Sequence, residues 1–511
     1  MRAKINKLRE LITESLRVQL GGDVINYVNV GHALEDACAR QNHTIFARRG
    51  CGKTLLLHDS GRKLRSDLRA IYLNCEDFKR HTFPNVLIEI LSALFKEIES
   101  NLPGWFGRKR ELRSGIQKII KRLDSMRQAP DSKTERVRQT ASLEVEGVNQ
   151  GSVGAKGKNF AALFGFSNSR RARDETERVF AEHRKKLQEL DLWLPELKKN
   201  LREFFALSNN VKGIFLQIDD LYHLKRTDQA FVVDYIHRLC KDLPLFFKIA
   251  TLRHASTLYA DRDGQPIGAQ ERHDYQPINI DYTFSDFERT RKQNWEILNE
   301  YARQAGLTSA ELKSLFKGAG FARLVMAGGG VPRDVLSLFL GLLSDTNGEQ
   351  IGKDEVRRIS GSNLERRIEE LKQDSQGDEQ DTLLRGIYIL REFCIDRKTN
   401  IFLVPEEMLQ RDEAWRNLLN RLLDYRIIHD AGSALTHKSL PGNYRAFAID
   451  IGCYAHLRKM EGRFSEIDVS ESGAKDKMRS APVLDTDKLQ KLAAATPADP
   501  ESALKAEALE H

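Results

Sequence analysis

Residues 43–54 read HTIFARRGCGKT, and that stretch constrains the chain more than any other. HTIFA is a short apolar run of the kind that makes a buried strand. It runs straight into a turn holding Gly50 and Gly52. TLLLHDSGRKL then has the apolar spacing of a helix. Strand, glycine turn and helix in immediate succession commit this region to a sheet backed by helices. Backbone N–H groups can wrap an anion only where side chains do not collide, so such a turn needs glycines. A Lys then reaches the outer phosphates of a nucleotide, and a Ser or Thr hydroxyl reaches its metal. The N-terminus of the helix adds a favourable dipole. Ala47 stands where Gly is commonest, but that position has only to be small. Ala47, Gly50, Cys51, Gly52, Lys53 and Thr54 are therefore expected to hold ATP, with Thr54 on Mg2+. Cys51 reads either as a redox-sensitive thiol or as a small residue that fits.

A phosphate loop needs a second strand ending in a carboxylate. GIFLQID at 213–219, followed by Asp220, provides it. Asp219 is the expected magnesium-side carboxylate. Asp220 is placed to orient or deprotonate the attacking water, or to cap the following helix. Asp there is shorter than Glu, so turnover is expected to be slow or partner-dependent. FFKIATLR at 246–253 is a further strand with a polar end. It makes Thr251 and Arg253 candidates for touching the γ-phosphate or the water. Arg253 reads equally as a surface charge or as a partner of Asp219 or Asp220.

RAIYLNC (69–75) and DYQPINIDYTF (274–284) complete a set of strands alternating with helical segments, the pattern of a parallel sheet covered on both faces. The expected architecture is α/β. A parallel-sheet core, split between 1–100 and 201–285, carries an insertion over 101–200, helical with a Gly-rich centre. A helical lid over 286–375 is broken at AGGGVPRD. A compact unit spans 376–460, and 461–511, rich in Ser, Ala, Pro and charge, is expected to be disordered. There is no apolar run near the roughly 18 residues of a membrane span, and the first residues lack the apolar block of a secretory signal. Six scattered cysteines without a CxxC pair argue against a structural zinc site or a disulfide framework. A cytoplasmic setting is the simplest expectation.

ARRGCGKT, GIFLQIDD, FFKIATLR and GGGVPRD, in this order, resemble the AAA+/STAND group of P-loop ATPases, especially its origin-recognition-like branch. The resemblance covers roughly 40–100 and 205–345. It implies that Arg333 reaches from the lid to the nucleotide phosphates, with Gly330 and Pro332 shaping the helix start; GGGVP also reads as a plain turn. The long separation of Thr54 from Asp219 departs from the compact version of the core. A ring-forming member would need an arginine for its neighbour's site, and Arg262, Arg272 and Arg289 are on offer, each reading also as a surface charge.

After the lid, TLLRGIYILREFCID, VPEEMLQRD and EAWRNLLNRLLDY read as three helices, and RIIHDAG and YRAFAIDIG as a hairpin. That order resembles a winged helix. If it binds double-stranded DNA, Arg416, Asn417, Asn420 and Arg421 would enter the major groove and Lys438, with His437, would meet the backbone or minor groove. Nearby carboxylates, among them Glu406, Glu413 and Asp424, favour a protein contact instead. The basic stretch 108–122 is a second candidate nucleic-acid surface, or one solvated face of a core helix. The net charge of +8 permits a nucleic-acid partner without requiring one. The expected function is an ATP-driven switch, homo-oligomeric, acting with DNA and a protein effector of a DNA-processing or antiviral kind. The alternatives are a STAND-like signalling ATPase and a non-hydrolysing scaffold.

Overall fold

The computed structural model describes residues 1–16, 26–79, 81, 83–102, 107–128, 184–262, 264–345, 349–375, 377–455, 464–497 and 499–500. Helix α1 (Arg2–Ser15) comes first, then α2 (Ala33–Cys38), strand β1 (His43–Phe46), α3 (Lys53–Arg62) and β2 (Leu68–Asn74). Three long helices follow: α4 (Asn85–Ser100), α5 (Arg108–Gln128) and α6 (Arg184–Leu207). The core resumes with β3 (Gly213–Asp219), α7 (Arg226–Cys240), β4 (Leu245–Thr251), the hairpin β5 (Tyr259–Arg262) and β6 (Gln265–Gly268), and β7 (Gln276–Asn279).

Five strands form one sheet in the order β2-β3-β4-β1-β7, and every neighbouring pair is parallel. A parallel sheet needs cover on both faces, which explains why β1 and β3 are buried along their whole length. The strand carrying the phosphate loop and the strand ending in Asp219 are separated by β4 alone. Their C-terminal ends therefore flank the end of β4, where a polar residue is expected. This is a P-loop ATPase-like α/β fold.

Helices α5 and α6 are the described ends of the expected insertion. Leu112, Ile116, Ile119, Leu123 and Met126 make a stripe at spacings of three and four, buried in the same cluster as one face of the sheet. The basic residues of 108–122 occupy the other side of α5, which is how a solvated face of a core helix looks. The Gly-rich centre expected within 101–200 lies outside the described residues.

The helical region expected as a lid, hereafter the lid, comprises α8 (Phe287–Gln304), α9 (Ser309–Lys313), α10 (Gly320–Ala327), α11 (Pro332–Asp345) and α12 (Lys353–Asp374). The break before α11 is real: Gly329 and Gly330 have φ of +62° and +75°, and a Cβ at Gly330 would lie 2.6 Å from Thr290. One boundary differs from expectation. Residues 1–16 pack with the lid, not with the core, because Leu8 and Ile12 bury one stripe of α1 among lid residues. Helix α12 buries Ser360, Asn363, Arg367 and Leu371.

The unit after the lid is α13 (Asp378–Asp396), β8 (Ile401–Pro405), α14 (Glu406–Arg411), α15 (Glu413–Asp424), β9 (Ile428–Thr436) and β10 (Asn443–Ile449). Its antiparallel sheet has the order β8-β10-β9, so the expected hairpin gains a third strand. The expected disordered tail is ordered over 464–497. Ile467, Val469, Met478, Val483, Leu484 and Leu489 are buried, α16 (Ala474–Met478) and α17 (Thr486–Ala495) form, and Leu403 of β8 donates its backbone N–H to the Pro482 carbonyl and accepts from the Leu484 N–H. These apolar residues are widely spaced among Ser, Ala and charge, so composition hides them. The lid, the C-terminal unit and the tail share one continuous hydrophobic cluster, separate from the two clusters of the ATPase-like core. Among the described residues no helix is long and apolar enough to cross a membrane.

Candidate nucleotide site

The loop between β1 and α3 has the backbone that its glycines permit. Gly50 and Gly52 have φ of +86° and +89°, a region costly for residues with a Cβ. Gly52 caps the N-terminus of α3 in the left-handed conformation. The Lys53 ammonium, almost fully buried, curls back to donate to the carbonyls of Ala47 (3.1 Å) and Arg48 (3.4 Å). Cys51 is buried and its thiol donates to Asp281 at 3.6 Å. Burial and the Asp281 carboxylate push that thiol well up, so it is not a ready thiolate and serves as a small residue that fits.

Asp219 ends β3 and has no solvent exposure. Burial pushes its carboxyl up to about 6, with Asp220 adding to the shift, while Thr54, Lys53 and Tyr72 pull it down. The Tyr72 hydroxyl donates to it at 2.9 Å, and the backbone N–H of Asp220 donates to its other oxygen at 2.9 Å. The Thr54 hydroxyl faces the same carboxylate, so the two expected metal-side residues meet. Asp220 adopts the left-handed region (φ 52°), which Asp tolerates, and its side chain makes no cap bond to the short helical turn that follows. Its carboxylate is thus not spent on capping.

The lid meets the loop directly. The Arg333 backbone N–H donates to the Gly50 carbonyl (3.2 Å), and a Cβ at Gly50 would lie 2.8 Å from the Arg333 Cβ. The Arg333 side chain is exposed, and no hydrogen bond or ion pair engages it among the described residues. It is free to turn onto a phosphate.

Two candidates are placed otherwise. Thr251 does lie at the end of β4 between β1 and β3, but it is fully buried, with its hydroxyl bonded to Ser256. Arg253 leaves β4 in the direction away from Asp219. It crosses the Phe46 ring (4.1 Å to the centroid) and bonds Asn279 of β7 (2.8 Å) and Glu271 (3.1 Å). Two acceptors and an aromatic face hold the Arg253 guanidinium on the β7 side of the sheet.

Several residues of the site carry no signal in the local sequence. Arg48 pairs with Asp281 through two side-chain bonds (2.7 and 2.8 Å) and fixes the start of the loop. Arg49 pairs with Asp374 at the end of α12 and stacks 4.8 Å over Tyr222, two residues after Asp220. Tyr27 packs beside Gly52. Arg426, just after α15, donates to the Arg49 carbonyl. Arg426, Arg367 and Arg366 surround Asp334, the neighbour of Arg333. Burial alone would raise Asp334, but these three guanidiniums outweigh it and hold the carboxyl down at about 2.

The candidate DNA-contact residues are mostly engaged within the chain. Arg416 donates to the Leu409 carbonyl (2.9 Å). Arg421 pairs with Glu379 (2.7 Å) and bonds Tyr425. Lys438 pairs with Asp476 of α16 (2.7 Å). Asn417 and Asn420 are half-buried on α15. Of the arginines considered for a neighbour's site, Arg289 stacks on the Tyr282 ring (4.1 Å) and bonds its hydroxyl.

No protein-family model matches the chain, and no curated protein matches it. Among solved structures, the Walker-type ATPase of Pyrococcus abyssi is similar at 12% identity with a TM-score of 0.37, over 83% of this chain and 93% of that one. The assignment of the core rests on its strand order and its loop.

Proposed function

We propose that the chain is an ATP-hydrolysing switch whose nucleotide controls the join between the core and the lid with its C-terminal unit. The observation that carries this reading is the convergence of Lys53, Thr54, Asp219 and Asp220 at the ends of two strands separated by β4 alone, with the unpaired Arg333 on the glycine loop above them. Thr54 and Asp219 would hold Mg2+, which would supply positive charge to the phosphates. Two protein groups suffice, because Mg2+ keeps several waters and takes phosphate oxygens; among the described residues no group of three or more His, Cys, Asp or Glu is placed to hold a metal. Lys53 exchanges its two carbonyl partners for phosphate oxygens. Asp220 accepts the proton of the attacking water as its oxygen bonds the γ-phosphorus and the bond to the bridging oxygen breaks. Arg333 offsets the charge on the transferred group.

For the C-terminal unit we favour a winged-helix module that contacts protein, as in a STAND-like signalling ATPase. Its support is that Arg416, Arg421 and Lys438 already have internal partners, and that Arg426 ties the unit to the phosphate loop. Binding of DNA, with an effector and a homo-oligomer, is the other reading, and it requires those pairs to open. Hydrolysis measured with and without duplex DNA separates the two. An unchanged rate fits the protein-contact reading. A DNA-stimulated rate lost in Arg416→Ala/Arg421→Ala overturns it.

A further inference from the structure

A cavity of about 240 Å³ lies between the C-terminal ends of the sheet and the C-terminal unit. Phe46, Arg253 and Asn279 line it from the core, and Leu423, Asp424 and Arg445 from the other side. Three arginines (Arg48, Arg253, Arg445) and three aspartates (Asp281, Asp424, Asp430) line it, and each arginine already has an acid partner. Arg48 is matched by Asp281, Arg253 by Glu271, and Arg445 by Asp430. Asp424 remains. It is only 6% exposed, and its Oδ2 is buried without a hydrogen-bond partner. Burial pushes its carboxyl up to about 7. His254, on the same cavity, supplies no compensating charge, since burial and then Arg445 and Arg253 push it down to about 4.

A buried carboxylate left without a partner is unfavourable unless a cation or a proton joins it. The cavity has room for more than a water. Asp281 and Asp430 are taken by Arg48 and Arg445, which leaves the cavity one free carboxylate among the described residues, too few for a metal site. Leu423 gives it an apolar wall beside the charge.

We propose that this cavity is a ligand site for a small organic monocation, a guanidinium or alkylammonium compound free in solution, with Asp424 as its counter-ion. Its walls belong to two hydrophobic units, so an occupant ties the C-terminal unit to the core. Ala47 and Arg48 of the glycine loop also line it, and the proposal does not require that the loop hold ATP.

Titration calorimetry of the full chain at pH 8 tests it, with methylguanidinium and agmatine as probes and methylurea as the neutral analogue. Expected is one-to-one binding of a cation to the wild type, at least tenfold weaker in Asp424→Asn, and no binding of methylurea. Asp424→Asn should melt at or above the wild type without probe, because it removes an unpaired buried charge. Leu423→Phe, which keeps every charge and narrows the cavity, should also lose agmatine. The proposal is overturned if no cation binds the wild type, or if Asp424→Asn binds equally. It is also overturned if sedimentation shows an oligomer that Asp424→Asn dissolves, for then the carboxylate serves a side chain of a second copy.

Discussion

Arg426 donates through Nη1 to the backbone carbonyl of Arg49, 3.2 Å away across the join between the C-terminal unit and the phosphate loop. The same guanidinium pairs with Glu370 and lies 3.6 Å from Asp334, beside Arg333. One side chain of the C-terminal unit thus touches both the loop and the lid. Only 3% of it is exposed, so its partners are poorly replaced by water. A loop that rearranges around phosphate must change what Arg426 holds.

Replacing Arg426 by Gln should therefore loosen the loop. Nucleotide exchange, followed by stopped-flow with a fluorescent analogue, should accelerate about tenfold, in the usual range of coupling between sites. Unfolding free energy should fall by about 3 kcal/mol, because Asp334 and Glu370 lose a buried partner. Unchanged exchange with reduced stability would leave Arg426 a structural residue only.

Gly50 is constrained twice, by its positive φ and by the Arg333 Cβ and the Val331 side chain against it. Gly50→Ala should cost about 1–3 kcal/mol in a denaturant titration and abolish nucleotide binding. Gly361, whose added Cβ would meet nothing within 4 Å, lies inside α12, and Gly361→Ala should be neutral or slightly stabilising.

Asp219 gives the site a pH dependence. With its carboxyl at about 6, it is ionised above that pH and protonated below. Mg2+-dependent ATP binding should fall as pH drops from 8 through 6 to 5. Asp219→Asn should remove the Mg2+ dependence at every pH. For folding the sign is opposite. The folded pKa is raised above the unfolded one, so the stability this group contributes is full below about 4 and is lost as pH rises through about 6. Without ligand, Asp219→Asn should then be at least as stable as wild type at pH 7.

Ending the chain at residue 463 should damage the C-terminal unit, because it uncovers β8 and α13. Loss of Ile467, Val483, Leu484 and Leu489 alone removes four buried apolar side chains, a loss on the order of 6–12 kcal/mol. It also strips Glu466 from Arg323 and Arg357. Dye binding to exposed apolar surface and a lowered melting temperature check this.

The phosphate loop, the strand ending in Asp219 and the break before Arg333 were legible because glycines, an apolar run and a Gly-Pro turn each have a local physical signature. The place of β4 between the other two strands was legible from its polar end. Direction was not: the strand end at 251–253 does not say whether Arg253 turns toward β3 or across Phe46 to β7. Buried arginines were invisible, since Arg367 and Arg426 read as surface charge until Asp334, Asp450 and Glu370 are brought beside them from distant segments. The tail misled through composition, as its few apolar residues find their partners only in the folded C-terminal unit.

The most direct measurement is single-turnover hydrolysis of pre-bound ATP by the wild type, Lys53→Ala, Asp220→Asn and Arg253→Gln. Expected are no binding by Lys53→Ala, and normal binding with at least about a hundredfold slower hydrolysis by Asp220→Asn, the range of a lost general base. Arg253→Gln should stay near the wild-type rate. Hydrolysis by Asp220→Asn at the wild-type rate, or tight ATP binding by Lys53→Ala, would contradict the assignment of this loop and strand end as the catalytic site.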